Sequence, residues 1–254
     1  MDQEVDRSEV EDQVPPVPFS PVQRLRLPRF QVRATYGLIA VNVVVFLADF
    51  LSRRMVTFYG ALLPILVIVD RQWWRLILAG FLHADVIHVA VNLYALYGLG
   101  SLMERFFGLK RFLMIYTLSL LGSSVFVTLF SGFRTPTVGA SGAIMGVLGA
   151  LMVFYWQYRD LLLGGRGYLK QLGRMALINI GIGLLPGISW WGHLGGFVWG
   201  AAAGAILAPR YANPDWVTAQ LSMRRLSSSS WLKVALLVVG LSALLALAFI
   251  WRGA

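Results

Sequence analysis

The chain has no cysteine among its 254 residues, and it has only three histidines, His83, His88 and His193. The absence of cysteine excludes disulfide bonds, thiolate catalysis and cysteine-ligated metals. Acidic residues are also few, with 12 against 22 lysines and arginines. Each histidine lies near the start of an apolar segment, where an ionisable side chain is costly and usually functional. These few side chains therefore carry most of the functional information.

Hydrophobic residues, by contrast, make up 57% of the chain. Apolar runs of about 18 or more residues recur along it, and such runs are typical of helices that cross a membrane. We therefore predict an all-α polytopic membrane protein. Its seven predicted spans are 35–51, 84–103, 112–130, 138–155, 170–188, 190–208 and 231–251. The fifth pattern is the least regular, because it contains Lys170 and Arg174 and is interrupted by Pro186.

The spans divide the chain into four regions. Residues 1–32 are acidic at first and then rich in proline, which predicts a disordered cytosolic tail without a secretory signal. Residues 33–208 hold a six-helix core. Residues 209–230 form a linker, and residues 231–254 contain a seventh helix and a short tail.

The net charge of +10 raises the question of nucleic-acid binding. The basic residues lie in short clusters between apolar segments, and this distribution indicates a membrane protein instead. Positively charged flanks mark the cytosolic side. One side of the spans collects fifteen basic residues, namely Arg24, Arg26, Arg29, Arg33, Arg105, Lys110, Arg111, Arg159, Arg166, Lys170, Arg174, Arg210, Arg224, Arg225 and Lys233; the other has six, Arg53, Arg54, Arg71, Arg75, Arg134 and Arg252. The N-terminus is therefore predicted to be cytosolic and the C-terminus outside.

With this orientation, the second, fourth and sixth helices all begin at the outer face. Ser141, His193, His88 and Asn92 then share a layer on the order of 5–12 Å deep, from the rise per residue of a helix. A serine hydroxyl becomes nucleophilic when a neighbouring imidazole takes its proton. His88 and Asn92 are spaced i, i+4 on one helix face, where they can donate hydrogen bonds to an oxyanion together with the backbone N–H of Ser141.

Each of these residues also has a simpler interpretation. Ser141 alone fits a small packing residue between helices, and Asn92 fits an interhelical hydrogen bond. His193 alone fits a helix cap or a bond to a carbonyl. Two stripes of small residues favour the functional interpretation, because they predict close packing of the fourth and sixth helices and hence contact between Ser141 and His193. The stripes are Gly142, Gly146 and Ala150, and Gly192, Gly196, Gly200 and Gly204.

Taken in order, the motifs of residues 36–208 resemble the rhomboid family of intramembrane serine proteases. They are Trp74-Arg75; His83, His88 and Asn92; Glu104-Arg105; Gly139-Ala140-Ser141-Gly142; and His193 with Gly196 and Gly200. The resemblance implies a six-helix core with Ser141 as nucleophile and His193 as base. It also implies that His88 and Asn92 assist the oxyanion hole. In the family, the loop matching Trp74-Arg75 forms a hairpin lying partly in the membrane, and the residues matching Glu104-Arg105 join helix ends.

The other motif residues are predicted to be structural: His83, Trp74, Arg75, Glu104, Gly139, Gly142, Gly196 and Gly200. Many family members have a tyrosine that stacks on the catalytic histidine, whereas this chain has Met145 there, whose thioether can also pack on a ring. The seventh helix lies outside the core and resembles a "six plus one" arrangement.

The resemblance implies an intramembrane endopeptidase without a cofactor or metal. Its partners would be transmembrane protein substrates and the bilayer, with no nucleic acid. We predict that it is a multi-pass protein of a bacterial inner membrane. An alternative is a catalytically inactive relative that binds transmembrane helices. A second alternative is a zinc site formed by the three histidines, but there is no neighbouring glutamate to act as base.

Overall fold

A computed structural model describes residues 29–160, 162, 164–185, 187–210 and 226–253. Most of the predicted tail 1–32, Pro186 and most of the linker 209–230 lie outside the described residues. The described residues are helical, apart from loops and one isolated bridge between Leu62 and Thr137. The helices are α1 Ala34–Leu51, α2 Met55–Gly60, α3 Pro64–Ile68, α4 Arg75–Leu78, α5 Val86–Ala95, α6 Ser101–Phe107, α7 Leu109–Phe130, α8 Ser141–Gln157, α9 Gly165–Ile182, α10 Trp190–Leu207 and α11 Ser228–Gly253.

Most of the predicted spans match these helices to within a few residues. A wide π-helical turn, Leu96–Gly100, joins α5 and α6 into one rod, Val86–Phe107. The predicted bounds were wrong at several helix ends: the second span ends at Phe107 instead of 103, and the third begins at Leu109 instead of 112. The fourth span begins at Ser141 and not at 138, because Gly139 has a φ of +129°, which is incompatible with a helix. The fifth is Gly165–Ile182 instead of 170–188, and the last begins at Ser228, inside the predicted linker.

Four of the described helices are long and apolar enough to cross a membrane: Ala34–Leu51, Val86–Phe107, Leu109–Phe130 and Ser228–Gly253. The helix α8 is also apolar but shorter, with 17 residues. It is the central helix, since nearly every residue from Gly142 to Leu151 is buried against its neighbours. The outer helices α1 and α11 instead expose large apolar side chains such as Val44, Leu51 and Ile250. An apolar outer surface around a packed centre identifies an integral, multi-pass membrane protein.

The predicted contact between the two small-residue stripes is present. A Cβ atom placed on Gly196 would lie 1.9 Å from the carbonyl oxygen of Gly142, and one on Gly200 would lie 2.2 Å from the Cα atom of Gly146. At such distances only a hydrogen atom fits between the two backbones. The close approach of α8 and α10 brings the first turns of both helices together, and Ser141 and His193 lie in those turns.

Glu104 caps the start of α1 from a different helix. Its carboxylate is fully buried and accepts hydrogen bonds from the backbone N–H groups of Arg33, Ala34 and Thr35 at 2.8–2.9 Å. The hydroxyl of Thr35 donates a fourth bond at 2.8 Å. The first N–H groups of a helix have no partner within the helix, and a negative charge there is favourable. Glu104 therefore fixes the beginning of α1 to the end of α6.

The segment between α1 and α5 folds into a hairpin of short helices, held by the Trp74-Arg75 pair. The indole N–H of Trp74 donates to the carbonyl of Tyr59 at 3.0 Å. The guanidinium of Arg75, which is 3% exposed, donates to the carbonyls of Ala61 at 2.6 Å and Phe58 at 3.2 Å. These carbonyls lie at the end of α2, so Trp74 and Arg75 hold the two arms of the hairpin together there.

The helix α11 packs on α7 and on this hairpin. Arg252 donates to the carbonyls of Thr128 and Ser131 at 2.7 Å each, at the end of α7. The ring of Phe249 lies 4.7 Å from that of Trp73 in the hairpin. Arg252 and Phe249 thus attach the end of α11 to α7 and to the hairpin.

Candidate active site

Ser141 and His193 meet at the first turns of α8 and α10. The hydroxyl oxygen of Ser141 lies 3.0 Å from Nε2 of His193, within hydrogen-bond distance. His193 is 6% exposed and follows Ser189, whose hydroxyl accepts a bond from the N–H of Gly192 at 3.2 Å and so caps α10. Ser141 is the first residue of α8, where backbone N–H groups lack intrahelical partners and the helix dipole is positive. This arrangement favours negative charge next to the hydroxyl of Ser141, as develops when a serine attacks a carbonyl group.

The other ring nitrogen of His193 has a partner that could not be identified from the sequence. Its Nδ1 lies 3.2 Å from the carbonyl oxygen of Asn179, near the end of α9. A carbonyl only accepts hydrogen bonds, so Nδ1 carries the proton and Nε2 presents its lone pair to Ser141. The Asn179 carbonyl thus occupies the orienting position that an aspartate has in a catalytic triad. A main-chain acceptor has no residue type, and therefore no sequence signal marks it.

His88 faces the same point from α5. A Cβ atom placed on Gly139 would lie 2.8 Å from Nε2 of His88 and 3.6 Å from the hydroxyl oxygen of Ser141. The imidazole of His88 and the hydroxyl of Ser141 therefore both lie beside Gly139, where a side chain would crowd them. The N–H of Gly139 donates to the carbonyl of Ala79 at 2.9 Å, which holds this loop against the hairpin.

Asn92 lies one turn after His88 and is 5% exposed. Its amide nitrogen donates to the carbonyl of His88 at 2.9 Å. The amide group has two N–H bonds, so this contact uses one and fixes the orientation of the side chain. The bond within the helix also fits the simpler interpretation of Asn92 as a structural residue.

His83 packs beside the site rather than in it. Its ring is 1% exposed and contacts His88 edge-on, with the ring centres 5.1 Å apart. Burial and, to a smaller extent, the neighbouring His88 together lower the pKa of His83 from 6.5 to about 4. His83 is therefore neutral at pH 7 and packs its ring against that of His88.

This burial predicts that acid weakens the fold. Between pH 6.5 and about 4, His83 binds a proton in the unfolded chain but not in the folded chain. The free energy of unfolding therefore falls as the pH falls through this range. The loss amounts to about 3 kcal/mol across the range. We expect His83→Phe, which keeps a ring but cannot titrate, to flatten the pH dependence of the melting temperature measured in detergent at pH 7.5, 6 and 5. A variant curve parallel to that of the parent would contradict this prediction.

Met145 stands where many family members have a tyrosine, and a zinc site of the three histidines was the second alternative. Met145 is 3% exposed and belongs to the core around α8. Among the described residues, no three histidine or acidic side chains form a group that could hold a metal ion.

Comparison with known proteins places the chain among rhomboid proteins. The family model for the Rhomboid domain matches residues 70–210. Rhomboid protease GluP of Bacillus subtilis is 36% identical over 146 residues, which cover 56% of this chain and 27% of that protein. RHOMBOID-like protein 2 of Arabidopsis thaliana is 33% identical over 190 residues, covering 72% of this chain and 60% of its own length. Rhomboid-type serine protease 2 of Emericella nidulans is 34% identical over 139 residues, covering 52% of this chain and 26% of its own. The chain thus spans less than two thirds of the length of these relatives.

Proposed function

Because the chain belongs to the rhomboid family, we propose that it is an intramembrane serine endopeptidase that hydrolyses peptide bonds in or near transmembrane segments of other proteins. The observation that carries this proposal is the 3.0 Å contact between the hydroxyl of Ser141 and Nε2 of His193. Two of the relatives are named as proteases, which supports the same reaction class.

In this proposal, His193 Nε2 takes the proton of Ser141 while the serine oxygen attacks the carbonyl carbon of the substrate. The Nδ1–H bond to the Asn179 carbonyl stabilises the imidazolium that results. His193 then gives the proton to the leaving amine, and the acyl group stays on Ser141. A water molecule, activated by the same imidazole, releases the acyl group as a carboxylic acid.

The negative oxygen of the intermediate needs hydrogen-bond donors. We propose the backbone N–H of Ser141, the imidazole of His88 and the second amide N–H of Asn92 for this role. The approach of His88 Nε2 to Gly139 supports its part, since it places the ring next to the nucleophile. The residues predicted to be structural would support this arrangement from outside. They are His83, Trp74, Arg75, Glu104, Gly139, Gly142, Gly196 and Gly200.

The substrate must unwind locally, because a helix hides its amide groups in internal hydrogen bonds. We therefore propose substrates with small or helix-breaking residues near the cleaved bond. Entry would be lateral, past α9, whose residues Leu177 and Ile178 are 73% and 60% exposed. With a cytosolic N-terminus, as the basic residues predict, the cut would lie near the outer face of the membrane. The bacterial inner membrane remains a prediction from the sequence, and plant and fungal relatives are similar as well.

The alternative is an inactive relative that binds transmembrane helices without cutting them. Labelling with a fluorophosphonate probe distinguishes the two, because the probe forms a bond only with an activated serine. We expect the purified parent protein to be labelled, with the adduct mapped to Ser141 by mass spectrometry. The Ser141→Ala and His193→Ala variants should stay unlabelled. A folded parent that takes no label but captures single-span proteins would favour the inactive relative.

A further inference from the structure

Arg54 lies outside the proposed catalytic residues but binds the segment that precedes α5. One terminal nitrogen of its guanidinium donates to the carboxylate of Asp49 and to the carbonyl of His83, at 2.9 Å each. The other terminal nitrogen donates to the carbonyl of Ala84. The guanidinium therefore joins the end of α1 to two consecutive carbonyls at the entrance of α5.

Asp49 anchors this guanidinium firmly. The residue is 1% exposed, and its carboxylate also accepts bonds from the N–H and the hydroxyl of Thr57 at 2.7 Å. Arg54 itself has a φ of +72°, a left-handed conformation that non-glycine residues rarely adopt. Strain of this kind persists where the surroundings require it. Here the conformation begins α2 and directs the guanidinium to its three partners.

The peptide unit between His83 and Ala84 connects Arg54 to His88. Its carbonyl oxygen accepts from Arg54, and its N–H, that of Ala84, donates to Nδ1 of His88 at 3.4 Å. A ring nitrogen that accepts a hydrogen bond carries no proton, so the neutral ring of His88 has its proton on Nε2. Nε2 is the nitrogen beside Gly139 and Ser141. A hydrogen bond to a cation polarises the peptide unit and strengthens its N–H as a donor.

We propose that Arg54, anchored by Asp49, is a positioning residue that sets the tautomer and orientation of His88. Through the His83–Ala84 peptide unit it keeps the proton of His88 on Nε2, where the ring can donate to the oxyanion. The chain of contacts runs from Asp49 to Arg54, then through one peptide unit to His88. The catalytic meaning of this inference rests on the proposed function, since only an oxyanion requires Nε2 of His88 to be a donor.

The tautomer can be observed directly by NMR, because the chain has only three histidines. We expect ¹⁵N-imidazole spectra of the parent in detergent to show the Nε2–H tautomer for His88, assigned with His88→Ala. In Arg54→Gln the His88 signals should shift to a mixture of both tautomers, while the His193 signals stay unchanged. Arg54→Lys keeps the charge but not the forked geometry, so its spectrum should lie between the two. Arg53→Gln, at the neighbouring exposed arginine, is the matched control and should resemble the parent.

Kinetics then separate positioning from general stability. Misplacing a catalytic group by about 1 Å costs about 100-fold, so we expect kcat of Arg54→Gln to fall about 10- to 100-fold while KM changes less than about twofold. In a His88→Ala background the same substitution should cost nothing further, because its only route to catalysis is already removed. Parental tautomers and kcat in Arg54→Gln, or a full additional loss in the double variant, would overturn the inference.

The two proposals fail in different ways. The tautomer measurement needs no substrate, so it decides the role of Arg54 even if the parent cleaves nothing and takes no probe. A parent that cleaves its substrate while Arg54→Gln keeps the parental tautomer removes the inference and leaves the protease intact. If Arg54→Gln does not fold, Arg54→Lys and Asp49→Asn carry the same measurement, and each should change the His88 signals.

Discussion

Replacing Ser141 or His193 by alanine is expected to reduce cleavage of a single-span substrate by about 10⁴- to 10⁶-fold, the range seen when one member of a catalytic serine–histidine unit is removed. In the proposed mechanism neither residue acts alone, because the hydroxyl of Ser141 gives its proton to Nε2 of His193, which lies 3.0 Å away. The test compares initial cleavage rates in reconstituted vesicles at saturating substrate.

The double variant sharpens this test. If Ser141 and His193 work as one unit, removing both should cost no more than removing Ser141 alone. The matched control is Ser242→Ala, because Ser242 lies on α11, is exposed and bonds only to its own helix, donating to the carbonyl of Val238 at 2.9 Å. Cleavage by Ser141→Ala at more than a hundredth of the parental rate would rule out Ser141 as the nucleophile.

The second large effect is expected at Gly200, about two turns after His193 in α10. The Cβ atom of Gly200→Ala would meet the backbone of Gly146 at 2.2 Å, whereas ordinary contacts are 3.4–4 Å. Because the atoms of Gly146 are backbone and a methyl group has no other rotamer, neither can rotate away, and α8 and α10 must separate by about 1 Å or more. Such a displacement at the proposed catalytic dyad of Ser141 and His193 is expected to cost about 100-fold in turnover, and overpacking a core costs about 1–3 kcal/mol or more.

Gly173→Ala is the control for this substitution. It adds the same methyl group to a glycine of α9, where the added Cβ atom would meet no other helix or loop of the described chain within 4 Å. We expect its cleavage rate and melting temperature to equal or exceed those of the parent, since alanine favours helix over glycine by about 1 kcal/mol. A Gly200→Ala protein with parental turnover and melting temperature would show that the contact between α8 and α10 does not hold the dyad together.

Much of this protein follows from local pattern. The apolar runs placed the helices, since a membrane-spanning helix must satisfy its backbone internally and cover itself with apolar side chains. The spacing of small residues predicted the contact of α8 with α10, because only glycine allows two backbones to approach so closely. The same reasoning predicted that Ser141 and His193 would meet, and the order of the motifs identified the family.

Boundaries were less predictable, and each error has a local cause. Hydrophobicity is continuous through Val138 and Gly139, so it cannot show that the backbone of Gly139 turns before α8 begins. Ser228 to Ser230 have the composition of a linker, yet the hydroxyl of Ser227 accepts a bond from the N–H of Ser230 at 3.3 Å and so starts α11 early. Polar residues near a helix end are equally compatible with a linker and with the first turn of a helix.

By itself, the sequence determined where the apolar helices lie, which residue types are available for chemistry and which helix faces carry only small residues. All three can be read from the residues and their spacing along the chain. Only the tertiary structure decided what holds each proposed catalytic group in place. The Asn179 carbonyl on His193 and the Ala84 N–H on His88 are both main-chain partners. Main-chain groups are the same in every residue, so the fold alone selects which of them reaches the site.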